Sequence, residues 1–112
     1  MHELGITRNI VAIVDDVARG RRVRRVTLDV GKLSGVMSDA IAFCFDVVSK
    51  GTALEGASLE INQIDGRARC EACGAEFDTE TLFTACGCGS RLVTRLRGEE
   101  LTVKSMELME GS

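Results

Sequence analysis

The 112-residue chain is 45% hydrophobic and 28% charged, which suits one packed domain with room for a small insert and argues against disorder. A formal charge of −3, four Phe and no Trp or Tyr weigh against bulk binding to nucleic acid or anionic membrane, and leave little to stack on bases. No run of about 18 apolar residues offers a transmembrane helix, and Met1-His2-Glu3-Leu4 lacks the basic stretch and apolar run of a secretory signal. The expectation is a cytoplasmic protein, a monomer or weak homodimer, with neither nucleic acid nor membrane as partner.

Residues 4–19 read as an amphipathic helix. Ile6, Ile10, Ile13, Val14 and Val17 fall on one stripe at a 3.6-residue period, Asp15 and Asp16 face away, and Gly20 is a natural residue to follow the C-cap. Val26, Leu28 and Val30 then alternate with Thr27 and Asp29, the period of a half-buried strand. After a Gly- and Ser-containing loop from Gly31 to Met37, Ser38 is placed to cap a second helix over 39–50, closed by Gly51. Its stripe is Ile41, Cys44, Phe45 and Val48, widened by Phe43 and Val47, so a deeply packed helix is expected, with Cys44 acting as a small hydrophobe. Leu59, Ile61 and Ile64 mark a second strand.

From Gly66 to about Leu92 the character changes, and four of the five cysteines fall in this stretch. Beyond it, 92–97 and 101–108 flank Gly98-Glu99-Glu100 and read as a β-hairpin. Leu101 and Val103 share one phase while Met106 and Leu108 take the other, which a bulge near Ser105 reconciles. The predicted fold is α+β: two helices packed on a small mixed β-sheet, with an inserted zinc-ribbon-like domain of four cysteines. The predicted division is 1–66 plus 93–112 for the α/β domain and 67–92 for the insert.

Cys70 and Cys73 are separated by twelve residues from Cys86 and Cys88, giving C-x2-C-x12-C-x-C. Two close pairs can set four thiolates around one ion, and this suits Zn(II), whose structural sites are closed and tetrahedral. Gly74, Gly87 and Gly89 let the backbone turn tightly beside them. A segment this short cannot bury enough surface to fold alone, so metal binding would supply its folding free energy. Two disulfides, or a redox pair at either cysteine pair, are the alternatives; an odd count without a secretory signal disfavours the disulfides.

His2 is the sole histidine. A lone terminal histidine is ordinarily just solvated, but this terminus has the makings of a chelate. The Met1 amine, the His2 amide nitrogen and the His2 imidazole can close adjacent rings around one ion, and the Glu3 amide can add a fourth nitrogen. Such a planar set suits Ni(II) or Cu(II) better than Zn(II). The Glu3 carboxylate can support that ion from outside its ligand set or act as a favourable anion at the helix N-terminus. The cluster Arg19, Arg21, Arg22, Arg24 and Arg25 reads first as a solvated turn and second as a docking surface for an acidic partner. No nucleophile–base pair is evident, so no enzyme is expected.

Several segments, in order along nearly the whole chain, resemble the HypA/HybF family of hydrogenase and urease nickel-incorporation proteins. They are Met1-His2-Glu3-Leu4, Ile41-Ala42-Phe43-Cys44-Phe45-Asp46, Gly51, Leu54-Glu55-Gly56-Ala57, the pair Cys70 and Cys73, Cys88-Gly89-Ser90, and Glu99 through Glu107. The resemblance implies a nickel metallochaperone, with Ni(II) as cargo on Met1, His2 and Glu3. It also implies a structural Zn(II) on Cys70, Cys73, Cys86 and Cys88. It further implies a HypB-type maturation GTPase and the hydrogenase large subunit as partners, with urease as a recipient in some organisms. At the second cysteine pair the family carries C-P-x-C-G-S; aligned on Cys88-Gly89-Ser90, the family's third cysteine position holds Ala85 and Cys86 comes one residue later. The competing reading is a zinc-ribbon module that binds protein or nucleic acid.

Overall fold

The computed structural model describes residues 2–110. Two helices and six strands follow in the order α1 (Glu3–Ala18), β1 (Val23–Gly31), α2 (Ser38–Val48), β2 (Ser58–Ile64), β3 (Gly66–Cys70), β4 (Glu76–Thr79), β5 (Val93–Arg97) and β6 (Leu101–Leu108). They build two three-stranded sheets, β2-β1-β6 and β4-β3-β5, in a molecule 56 × 25 × 17 Å.

The first sheet is mixed. β2 runs parallel to β1 through the α2 crossover, and β6 runs antiparallel along the other side of β1. Val26, Leu28 and Val30 point to the helices and are buried to 2% exposure or less, with Val11, Val14, Ile41, Phe45 and Leu54 completing the core. Each large side chain removed from water here contributes about 1.5–3 kcal/mol. The opposite face of the sheet is polar: Asn62 donates to Asp29 at 3.1 Å, and the Arg25 guanidinium sits 3.7 Å from both Glu60 and Glu107. Arg25 thereby ties all three strands together. Arg22 donates to the Glu55 carbonyl at 2.7 Å, while Arg19 takes the left-handed C-cap of α1 at φ 51°. The arginine cluster is thus partly engaged in holding the α1–β1 turn.

The expected bulge is present. Ser105 pairs with Thr27 and Val103 with Leu28, which leaves Lys104 as the extra residue. Its effect is to bring Leu101, Val103, Met106 and Leu108 onto the helix-facing side together.

Three expectations are corrected. First, β5 and β6 do not form a hairpin: β5 pairs with β3, and β6 with β1. Gly98, at φ 114°, carries the chain from one sheet to the other. Both strands find better partners than each other, because each completes a sheet around a central strand. Second, the buried face of α1 is Thr7, Val11, Val14 and Ala18, whereas Ile13 and Val17 stand about 60% exposed. Packing between the sheet and α2 rotates the helix away from its most apolar stripe. Third, α2 buries a narrow face. Ile41 and Phe45 are in the core, Cys44 and Val48 are half-buried, and Phe43 is 75% exposed. Ser38 is the first helical residue of α2 rather than its cap, and Met37 holds the N-cap position without a side-chain bond.

Where the two sheets meet, backbone packs on backbone. A methyl on Gly31 would lie 1.9 Å from the Gly98 carbonyl oxygen, one on Gly66 2.3 Å from the Thr79 oxygen, and one on Gly98 2.6 Å from the Gly66 Cα. Leu33 fills the remaining space and its amide donates to the Gly98 oxygen at 2.7 Å; Gly31 donates to Glu100 and Lys32 to Ile64. Gly98→Ala, which adds a clash to a left-handed φ, is expected to destabilise the protein by about 3 kcal/mol in urea unfolding. Gly51→Ala has open space around it but keeps the φ penalty, and is expected to cost about 1–2 kcal/mol.

Candidate metal centre

Two hairpin turns at the far end of the second sheet bring four thiols together. In the first, β3 ends on Cys70, the Gly74 amide donates back to the Cys70 carbonyl at 2.9 Å, and the Cys70 amide donates to Ala75 at 2.8 Å. Gly74 takes φ 77° to close this turn. The second repeats the pattern one residue shorter: the Gly89 amide donates to Cys86 and the Cys86 amide to Ser90, both at 2.9 Å, with Gly89 at φ 94°. The shortened turn answers the C-x-C spacing, because it advances Cys86 far enough to face the other pair.

The four Sγ atoms lie within 4.8 Å of one another. Cys73 and Cys86 are 3.6 Å apart and Cys70 and Cys88 3.7 Å, so each close contact bridges the two turns. Sulfur atoms about 2.3 Å from a tetrahedral ion stand about 3.8 Å from each other. The donor set and its spacing therefore fit a zinc-sized ion with only small closure. All four are free thiols in the structure, so the disulfide alternative is not realised. Cys70 and Cys86 are buried, whereas Cys73 and Cys88 reach the surface.

The thiols do not ionise alike. The Cys73 backbone N–H, with that of Ala72 and the neighbouring thiols, holds Cys70 down to about 6. At Cys86 the Cys88 amide favours the thiolate, but burial and the surrounding sulfurs outweigh it and push the group up to about 12. Four thiolates this close repel one another, and a dication is what allows all of them to form. Zinc uptake is expected to release protons, and to release more per ion at pH 6 than at pH 8; calorimetric titration in buffers of different ionisation enthalpy measures this.

At the other end of the chain, His2 is exposed and occupies the N-cap of α1, its carbonyl accepting the Ile6 amide at 3.1 Å. Glu3 is the first helical residue, and its Oε2 accepts the Met37 amide at 2.9 Å, across 34 residues of chain. That bond, with its own backbone amide, holds the Glu3 carboxyl below the usual carboxylate range. The carboxylate thus caps α2 from outside. Met1, the third residue expected to take nickel, lies outside the described residues. The tie to Met37 was not legible in the sequence, since nothing local marks a carboxylate as the cap of a distant helix.

A family model described as hydrogenase/urease nickel incorporation, metallochaperone, hypA matches residues 1–108. The hydrogenase maturation factor HypA of Nostoc sp. is 56% identical over 110 residues, covering 98% of this chain and 97% of that protein. The chain belongs to the HypA family. The protein of the same name from Geobacter metallireducens is 47% identical over 109 residues, covering 96% of this chain and 99% of that one. The solution structure of the Ni metallochaperone HypA from Helicobacter pylori shares the fold, with a TM-score of 0.68, 20% identity and coverage of 97% and 98%. Membership of the HypA family makes the chain a nickel metallochaperone of hydrogenase maturation.

The Glu3 bond has a pH signature. Because the folded carboxyl lies below its unfolded value, its stabilising contribution is full above the unfolded value and is lost as pH falls through the folded one. Glu3→Ala is expected to remove this dependence and to speed hydrogen exchange of the Met37 amide, both observable by NMR.

Proposed function

We propose that this chain carries Ni(II) at its N-terminus and passes it to the large subunit of [NiFe]-hydrogenase during maturation. A HypB-type GTPase is the partner and urease a further recipient, and both events take place in the cytoplasm. The ligands are the Met1 amine, the His2 amide and imidazole, and the Glu3 amide. The observation that carries this reading is the position of His2 and Glu3 at the head of α1. The first N–H groups of a helix have no intrahelical carbonyl to serve. Two amide nitrogens there can be deprotonated and bound to nickel without breaking the helix, which no interior position permits. Exposure of His2 leaves the ion accessible to a recipient. The Glu3 carboxylate, engaged with Met37, supports the site from outside the ligand set.

Zinc would be held by Cys70, Cys73, Cys86 and Cys88, and its chemistry there is structural: it neutralises four thiolates and ties two turns into one unit. The first sheet with its helices then forms the nickel-bearing unit and the second sheet the zinc-bearing unit. Different demands are met separately, since cargo must leave and the structural ion must stay.

Nickel titration with metal analysis tests the reading on three zinc-loaded proteins: the native terminus, His2→Ala, and a form with one extra N-terminal residue. The altered proteins are expected to lose tight nickel binding, by at least a hundredfold, while each keeps one zinc. Equal nickel affinity in all three would overturn the terminal site, and zinc retained in full by Cys70→Ser would overturn the sulfur assignment.

A further inference from the structure

The four thiols that can meet a dication also meet one another. The Cys70 Sγ lies 3.7 Å from that of Cys88, and the Cys73 Sγ 3.6 Å from that of Cys86. Both contacts cross between the two turns, and each joins a buried cysteine to one at the surface. Cys73 and Cys88 face solvent, whereas Cys70 and Cys86 are only 1% and 7% exposed. An exposed thiol that an oxidant can reach, backed by a second thiol that can resolve it, is the arrangement of a reversible oxidation site, and it is present here twice. To form a disulfide each pair must close by about 1.6 Å, to roughly 2.0 Å. Gly74, Gly87 and Gly89 have open space around them, so the turns can move that far without collision. The fifth cysteine, Cys44, is half-buried on α2 in the other unit.

We propose, on the zinc assignment made above, that the two cross-turn pairs are a reversible modification site that takes a hydroperoxide and gives up the metal. The Cys88 thiolate attacks one peroxide oxygen, the O–O bond breaks, and the other oxygen leaves as hydroxide or alkoxide. Cys88 then carries a sulfenic acid. The Cys70 thiolate attacks that sulfur, the S–O bond breaks, hydroxide leaves, and the Cys70–Cys88 disulfide forms. One peroxide has taken up the two electrons that the two sulfurs gave. Cys73 and Cys86 repeat the sequence with a second peroxide, Cys73 being the exposed member that is attacked first.

Zinc is held through thiolate charge, and each disulfide withdraws two of the four ligands. The first leaves the ion two sulfurs and the second leaves none, so oxidation ends in release of the metal. Because both disulfides run from one turn to the other, they replace the tie that the ion provided. The two turns stay joined, and a dithiol that reduces the bonds restores four thiolates in place. Disulfides within the turns, Cys70–Cys73 and Cys86–Cys88, would leave the turns untied. Oxidant acts on the second-sheet unit alone, since His2 and Glu3 carry no thiol.

Hydrogen peroxide added to the full zinc-loaded chain tests the proposal. Released zinc is followed with a chromogenic chelator, and disulfides are mapped by mass spectrometry after cleavage at glutamate. Cleavage after Glu71 separates Cys70 from Cys73, and tandem fragmentation distinguishes Cys86 from Cys88. About two peroxides are expected to be consumed per zinc lost. The bonds expected are Cys70–Cys88 and Cys73–Cys86, and dithiothreitol with fresh metal is expected to restore one zinc. Cys44→Ser is expected to change none of this. Zinc retained under excess peroxide overturns the proposal. So does any other pairing of the four cysteines, sulfinic acid formed in place of disulfides, or a response that needs Cys44. A chain that holds no zinc before peroxide is added contradicts the zinc assignment instead, and the bonds formed on its thiols still decide the pairing.

Discussion

The molecule depends on a close approach of three backbone segments at Gly31, Gly66 and Gly98. Every passage of the chain between the two sheets runs through this point, from β2 to β3 and again from β5 to β6, while the end of β1 packs against both. No side chain beyond hydrogen fits at any of the three positions, and the amides of Gly31, Lys32 and Leu33 are all spent on carbonyls across the junction. The result is an insert that is continuous with the first sheet rather than hung from it by a flexible tether. A four-cysteine unit too small to stand alone acquires a fixed base, and the metal completes what the base begins.

The two ends of the molecule are built on opposite principles. At the cysteine end, paired turns closed by backbone hydrogen bonds bury Cys70 and Cys86 and expose Cys73 and Cys88. Such a site favours retention. At the N-terminal end, His2 stands exposed at the N-cap of α1 and Glu3 opens the helix. The Glu3 carboxylate links this end to the start of α2, and the loop leading there from β1 begins at the glycine junction. A continuous backbone and two hydrogen-bonded anchor points therefore connect the N-terminus with the base of the second sheet.

The helix surfaces show how far apolar pattern alone can be read. In α1 the strongest stripe, from Ile6 to Val17, correctly marked a helix but pointed to the wrong core. Thr7, with its hydroxyl satisfied by the Glu3 carbonyl at 2.7 Å, lies fully buried in its place. A polar residue that can satisfy itself within its own helix is free to pack inside, while Ile13 and Val17 are left about 60% exposed and Ile6 and Ile10 pack at the margin of the core. In α2 the same overreading made Phe43 a core residue when it is largely exposed.

What the sequence by itself determined were the features carried by neighbouring residues: both helices, β1 and β2, the bulge that reconciles Val103 with Met106, the glycine-closed cysteine pairs, and the family. Each depends on a periodicity or a spacing of a few positions, and local geometry converts those directly into structure. Only the tertiary structure decided that β5 leaves β6 for β3, which face of α1 is buried, and that the Glu3 carboxylate caps a helix 34 residues away. These outcomes are competitions among distant partners of similar local fitness, and the winner is set by which pairing completes a sheet or satisfies an orphan amide once the whole chain has packed.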